Sequence, residues 1–526
     1  MGPAPSGHNG RMPGPNHDVD AIVVGAGHNG LVAAAYLARA GRSTLLLEAR
    51  ADVGGTATSE AFAGAMVNVC SCDHVTFRTT PVIDELHLER HGLEYIEIDP
   101  AGAAVAWSDD PDAVNPLVTW HDPERTLDHL ASQHPADVDG YRKYLRHAMP
   151  AVRMILDVAT EPPTVRGLAR AGLRRRFAGV PTVFRWSRRS AADVMRSYFS
   201  SDVLQGAAMV GGPMVWGISP ETPGTGLGAL GYAMRHVAHV GRPVGGSGRL
   251  PLALRRAFEE HGGTVRTGAK VAAILCDTNA VTGVRLEDGT EITAPVVVSA
   301  ADPRRTFVEW LKNPPAGAAS LVGRWERATP EDGYESKIDA VLTEAPVVRG
   351  VATSLASTLT LVPTLAEMDE AARLMASGGV IRRPGMFVNV PSLVDPTLAP
   401  PGRHVFSLEV LLTPYSHPGG WEASDEPQRW LELVAARCEN DFLGSIEAQR
   451  VMTPEVYERE FQLPRGHATS FAGGPLAALR NDDPELTHYE TAVPGLYLTG
   501  AATFPGAGIW GASGRNCATV VLAHTA

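Results

Sequence analysis

Apolar runs of strand length alternate with helical spacing at the start of the chain, and the rhythm returns after residue 264. Ala21–Val24 is a continuous apolar run, the pattern of a strand buried on both faces. An alanine-rich stretch with helical spacing follows and stops at Gly41, a residue suited to close a helix. Ser43–Leu47 is the next strand. Further strands are expected at Glu94–Ile98, Thr264–Arg266, Lys270–Cys276, Val281–Glu287, Pro295–Ala300, Gly385–Val390, His404–Leu411 and Gly495–Gly500, with Asp288-Gly289 as a hairpin turn. Helices are expected over His121–Val158, opened by Asp122-Pro123-Glu124, over the run from Gly245 to about His261, over Asp425–Leu443 and over Ala512–His524.

Between the first strand and its helix stands Gly25-Ala26-Gly27-His28-Asn29-Gly30, a G-x-G-x-x-G. Gly25 permits the tight turn, Gly27 lets backbone approach a pyrophosphate, and Gly30 lets helix and strand pack closely. The helix N-terminus offers N–H groups and partial positive charge to the phosphates. Glu48, eighteen residues after Gly30, ends the second strand where an acid accepts hydrogen bonds from an adenosine ribose. Strand, glycines, helix, strand and acid in that order point to a bound dinucleotide. Arg50 and then Gly54-Gly55-Thr56 follow, which resembles the extended motif of FAD-binding flavoproteins. The glycine pair lets a second segment cross near the pyrophosphate, and Arg50 offers it a guanidinium.

At 526 residues the chain is long enough for two domains. Its 46 basic and 58 acidic residues leave a net charge of −12, which argues against general nucleic-acid binding. Cys70, Cys72, Cys276, Cys438 and Cys517 show no metal-site spacing, so no metal is expected and the thiols read as reduced and cytoplasmic. Met1–His17, rich in Gly, Pro and Asn, reads as a disordered N-terminus without a leader pattern. Two uncharged stretches, Val203–Pro220 and Thr491–Gly514, are broken by glycine and proline and suit cavity walls better than spanning helices. Val203–Met234 carries one charge, Glu221, and would suit a greasy substrate. Arg166–Arg189 holds eight arginines and no acid. Such an island fits a peripheral membrane contact, a site for an acidic substrate, or a solvated helical face.

Near the C-terminus, Gly495–Gly500 leads through Phe504-Pro505-Gly506-Ala507-Gly508-Ile509-Trp510-Gly511 into a helix. Glycines this dense let a flat ring lie against backbone, with the helix N-terminus aimed at its electron-rich side. With VVGAGHNGLVAAAYLARAG at the start, GGSGRLPLAL (245–254), VVVSAADPRRTF (296–307), NVPSLVDPTLAPPGRHV (389–405) and GLYLTGAATFPGAGIWGASGRNCA (495–518), the chain resembles the phytoene-dehydrogenase-like branch of the FAD-dependent amine oxidase and carotenoid desaturase superfamily.

That resemblance implies an α/β fold, with a discontinuous Rossmann-type FAD-binding domain (18–70, 241–302 and 484–526) and an inserted α+β substrate domain (71–240 and 303–483). It implies FAD as cofactor and hydride removal from a mostly apolar small molecule to form a C=C bond, electrons passing to oxygen or a quinone-type acceptor. An amine oxidase, a flavin-dependent isomerase and a non-catalytic lipid-binding adaptor are the alternatives; a chain only 6% aromatic counts mildly against an amine oxidase, which favours aromatic walls. Matched residue by residue, Gly25, Gly27, Gly30, Glu48, Arg50, Gly54, Gly55 and Thr56 serve the adenosine and pyrophosphate, and Val271 packs by the adenine. Gly500, Gly508, Ile509 and Gly511 match the flavin end, and Lys337 in SKIDA (336–340) falls where relatives place a lysine near flavin N5. The chain departs from the family at Asn68–His74, where Asp73 and His74 are read as a candidate acid–base pair against the commoner capping or buried role.

Overall fold

The computed structural model describes residues 17–70, 72–110, 114–471 and 483–526. The expected disorder of Met1–His17 concerns a segment that, His17 apart, lies outside the described residues, as does Ser71. Ala21–Val24 forms strand β1, His28–Arg39 helix α1 and Thr44–Leu47 strand β2. The unbroken apolar run of β1 has its reason in the packing. Ala21 and Val23 pack with Leu31, Val32 and Ala35 of α1, while Ile22 and Val24 pack with Val271 and Ile274 on the opposite face.

Among the described residues β1 belongs to a five-stranded, wholly parallel sheet ordered Leu496–Leu498, Val296–Ser299, β1, β2, Thr264–Arg266. Strand order reverses at β1, so a crevice opens at the carboxyl ends of β1 and Val296–Ser299, where open α/β sheets bind ligands. Helices α1, Arg249–Glu260 and Ala512–His524 cover one face. A smaller sheet covers the other, and its hairpin turns at Asp288-Gly289 as expected, with Gly289 at φ +87°.

A second, seven-stranded sheet runs Ile446–Met452, Glu335–Leu342, His404–Leu411, Met386–Asn389, Leu359–Val362, Gly102–Ala106, Leu117–Thr119. Its pairings are antiparallel except Leu359–Val362 with Gly102–Ala106. Helices between residues 123 and 237 pack beside it around Tyr141, Tyr144 and Trp186, all fully buried. The chain is thus α/β, with a Rossmann-type parallel sheet and a second unit of sheet and helices. Among the described residues no helix is long and apolar enough to cross a membrane, and all five cysteines are free.

Two expected helices depart from their pattern: the one over His121–Val158 is divided into Pro123–Gln133 and Val138–Ala159. The helix expected over Asp425–Leu443 spans Glu426–Ala435. Beyond it Arg437 donates to the Ser108 carbonyl and stacks on Trp107, and Cys438 bridges to Val348, contacts a continuing helix would forfeit.

Candidate functional site

The chain leaves β1 at Val24 and turns into α1 within a few residues. Gly25 adopts φ +99°, a conformation side chains disfavour. A Cβ on Gly30 would stand 2.0 Å from the Gly25 carbonyl oxygen, so only glycine fits there. Gly27 differs: a Cβ would meet nothing within 4 Å, because the residue borders a cavity of about 240 Å³. Gly54 forms a parallel bridge with Gly27, and Gly55 packs against the Gly27 Cα. Thr56, Val271 and Gly500 line the same cavity.

Glu48 also lines it. Its Oε2 accepts from the Ala26 N–H at 2.7 Å and its Oε1 from the Arg50 N–H at 2.9 Å, leaving acceptor capacity on each oxygen. The Arg50 guanidinium lies over the Phe461 ring at 4.2 Å and pairs with Glu60 at 2.6 Å, yet its buried Nη1 has no partner among the described residues. Helix α1 carries no side-chain cap. Open space at Gly27, an orphaned guanidinium nitrogen and an uncapped helix N-terminus together fit the adenosine diphosphate half of FAD. His28, in the first turn of α1, is held neutral there because burial pushes its imidazole down to about 4 against a hydrogen bond to the Gly508 backbone.

A second cavity, of about 670 Å³, is walled mainly by apolar groups such as Val152, Ile155, Trp216, Leu230, Phe504 and Trp510. Two segments wall both. Ala468 and Thr469 line the first cavity, while His467, Ser470 and Phe471 line the second; Gly500–Ala502 line the first and Phe504–Ala507 the second. The nucleotide cavity and the apolar one therefore adjoin along these two segments. Gly508, Ile509 and Gly511 line neither cavity. The Ile509 carbonyl accepts from Thr76 Oγ1 at 2.7 Å, and Gly511, at φ +69°, starts the last helix against Phe77.

The three expected catalytic residues are placed elsewhere. Lys337 is 1% exposed, donates to the Asn68 carbonyl at 2.8 Å and is ion-paired with Asp339. It lines neither cavity: its ammonium is taken up by the Asn68 carbonyl and Asp339, on a strand, Glu335–Leu342, buried along its whole length. From Asp339 the pairing continues to Arg450 at 3.0 Å, Glu60 at 2.7 Å and Arg50 at 2.6 Å, so Lys337 ends a chain of charges that begins at the nucleotide cavity. Asp73 accepts from Arg242 Nε at 2.6 Å. His74 is fully buried, with Nδ1 at 2.9 Å from Tyr95 Oη and Nε2 at 2.7 Å from Ser247 Oγ. Burial, with His28 and Arg78 nearby, pushes its imidazole down to about 3. Asp73 and His74 are thus tied to different partners among the described residues.

Other residues at the site carried little sequence signal. Asp302 and Arg305 border the nucleotide cavity, Asp302 accepting from Thr469 Oγ1 at 2.5 Å. Their place just beyond the strand Val296–Ser299 in VVVSAADPRRTF, at the sheet's carboxyl end, marks them in retrospect. In the apolar cavity, His467 Nε2 lies 3.1 Å from Glu331 Oε2 and 3.3 Å from the Trp216 carbonyl, which makes Nε2 the protonated nitrogen. Its Nδ1 is buried without a partner among the described residues. The low aromatic content of the chain as a whole does not carry over to this wall, where Phe184, Trp216, Phe471, Phe504 and Trp510 gather.

Comparison with known proteins agrees with this geometry. The NAD(P)-binding Rossmann-like domain family matches residues 23–83, and the flavin containing amine oxidoreductase family matches residues 205–318. The mouse pyridine nucleotide-disulfide oxidoreductase domain-containing protein 2 is 27% identical, over 99% of this chain and 95% of its own. A limonene dehydrogenase polypeptide of Castellaniella defragrans is 27% identical, over 95% of this chain and 94% of its own. Bacterial phytoene desaturases are similar at 25% identity. An oxidoreductase structure from Methanosarcina mazei aligns over 96% of this chain and 100% of its own, at a TM-score of 0.62 and 17% identity, which shows a shared fold.

Proposed function

Because the chain belongs to the flavin-dependent amine oxidase and carotenoid desaturase superfamily, with FAD as its cofactor, we propose that it dehydrogenates a mostly apolar small molecule, forming a C=C bond. The observation that carries the reading is the 670 Å³ apolar cavity adjoining the nucleotide cavity along His467–Phe471 and Gly500–Ala507. Bound FAD would supply the acceptor for the hydride, which carries both electrons of the oxidation.

The chain's own residues do the rest. The N-terminus of α1 and Arg50 hold the phosphates, Glu48 holds the ribose, and the apolar walls exclude water from the reacting carbon. The proton that leaves with the hydride passes to the His467–Glu331 pair, both members of which line the cavity. The name of the Castellaniella relative supports this substrate class, limonene being a hydrocarbon. Electrons leave to oxygen or a quinone-type acceptor. Gly224, Thr225, Leu227 and Gly228, in a G-x-G-x-G run, line the apolar cavity rather than the end of a parallel strand, which argues against a second dinucleotide there.

The aromatic wall and the Glu331 carboxylate favour one second reading, oxidation of an amine whose ammonium pairs with Glu331. Anaerobic mixing of the yellow protein with a panel of terpene and other isoprenoid hydrocarbons, and with primary and secondary amines, separates the two. Bleaching by a hydrocarbon, with an alkene product of two fewer hydrogens, is the expected result. Bleaching by amines alone would overturn the first reading in favour of the second.

A further inference from the structure

The arginine island folds into two short helices, Val165–Arg174 and Val180–Trp186, at the rim of the apolar cavity. Their inner side is anchored: Leu168 and Ala171 pack with Val158, Phe471 and Phe504, and the last two line the cavity. Phe184 and Arg188 line it as well. The outer side is apolar where a water-facing surface should be polar. Val165, Leu173, Phe177 and Phe184 are 73, 66, 52 and 47% exposed, and only two other large hydrophobic residues are exposed among the described residues. Arg176 and Phe177 take φ of +50° and +56°, a left-handed conformation unfavourable for both, in the turn that presents Phe177.

Charge accompanies this exposed greasy surface. Arg175 pairs with Asp157 at 2.6 Å and Arg170 lies 3.6 Å from Glu161. Arg166, Arg174, Arg176, Arg185, Arg188 and Arg189 have no acidic partner among the described residues, in a chain whose net charge is −12. The Arg188 guanidinium stands 3.7 Å over the Phe184 ring. Aliphatic and aromatic side chains interleaved with unpaired arginines match the interfacial layer of a bilayer, where the apolar groups enter the acyl boundary and the cations meet lipid phosphates. A nucleic acid would leave Val165 and Leu173 in water.

We propose that this face docks on an anionic lipid surface, with the mouth of the apolar cavity turned toward the hydrocarbon. An apolar substrate then reaches the cavity without crossing water. That delivery rests on the substrate reading above; the docking does not.

Flotation of the yellow protein tests it, with vesicles of phosphatidylcholine alone and of equimolar phosphatidylcholine and phosphatidylglycerol. The protein should float with the anionic vesicles only, and molar salt should release most of it. Arg166→Ser, Arg174→Ser and Arg176→Ser combined should lower partitioning about a hundredfold, each arginine near an anionic surface being worth roughly a factor of five. Leu173→Ser should weaken binding further in the same assay, and an unchanged melting temperature shows both variants folded. Wild-type protein left unfloated by anionic vesicles, or a triple variant that floats like wild type, overturns the proposal. So does sedimentation showing a dimer that Leu173→Ser disperses, which would make the face a contact between copies. Protein that floats but is bleached by no apolar candidate would sink the catalytic reading and leave docking intact; protein that is bleached but never floats would do the reverse.

Discussion

Position 27 requires the absence of a side chain. Gly27→Val would place a branched group in space that nothing in the protein occupies, so the fold should survive while bound FAD is lost. The ratio of flavin absorbance to protein measures this, and a stoichiometrically yellow variant would put the cofactor elsewhere. Glu48→Ala should be milder, roughly 1–3 kcal/mol in FAD affinity, since it removes one acceptor and leaves two backbone N–H groups unpaired. Lys337 shows the opposite demand. Lys337→Met would leave the fully buried Asp339 with Arg450 as its remaining cation, and removing one partner of a buried pair costs about 3–5 kcal/mol. A lowered urea midpoint is the expected result, largely recovered in Lys337→Met with Asp339→Asn. An unchanged midpoint would show that the pair contributes nothing to folding. His28 and His74 add a pH dependence. Their folded-state values, about 4 and about 3, lie below the ordinary 6.5, so between these limits the unfolded chain binds more protons. Stability therefore falls as pH drops below about 6.5, by up to roughly 1.4 kcal/mol per pH unit for each histidine. Urea melts from pH 7 to pH 4 should show that slope, and about half of it in His74→Gln.

At the scale of elements, β1, α1 and β2 were legible because local pattern and tertiary demand coincide there. A strand buried on both faces must be apolar throughout, and a turn with no room for a Cβ must carry glycine. Gly30→Ala should accordingly lower stability as well as FAD content, because its methyl meets the Gly25 carbonyl at 2.0 Å. Thermal melts of the two variants should separate them: Gly27→Val near wild type, Gly30→Ala clearly below. The last helix and the strand His404–Leu411 were equally legible. Where tertiary contacts decide, the pattern ran out. Helical spacing continues past Ala435, but Arg437 and Cys438 are claimed by partners about a hundred residues or more away. Lys337 and His74 read as chemistry in one dimension and prove to be satisfied ions and hydrogen-bonding groups in three. His467 and Glu331 lie in irregular segments, where no periodicity marks a residue as facing a cavity.

Across the whole molecule, the ion chain Lys337–Asp339–Arg450–Glu60–Arg50 joins the seven-stranded sheet to the nucleotide cavity. Burial alone would raise the Glu60 carboxyl, yet hydrogen bonds from Arg450 and Arg50 outweigh it and hold the group below its usual range. The nucleotide cavity itself is built from residues between 24 and 502. A ligand there ties distant parts of the chain together, so adding FAD to apoprotein should raise its melting temperature, by about 2.7 kcal/mol of stability at a hundredfold excess over Kd. No rise would contradict the cofactor's place. The segments His467–Phe471 and Gly500–Ala507 carry a further consequence. Each is a party wall, and a molecule pressed against one side restricts what the other can do. A ligand that orders these segments lowers the cost of binding the other, and thermodynamic reciprocity makes the factor the same in both directions. A saturating, unreactive hydrocarbon should slow flavin dissociation, so the cofactor is retained best when substrate is abundant.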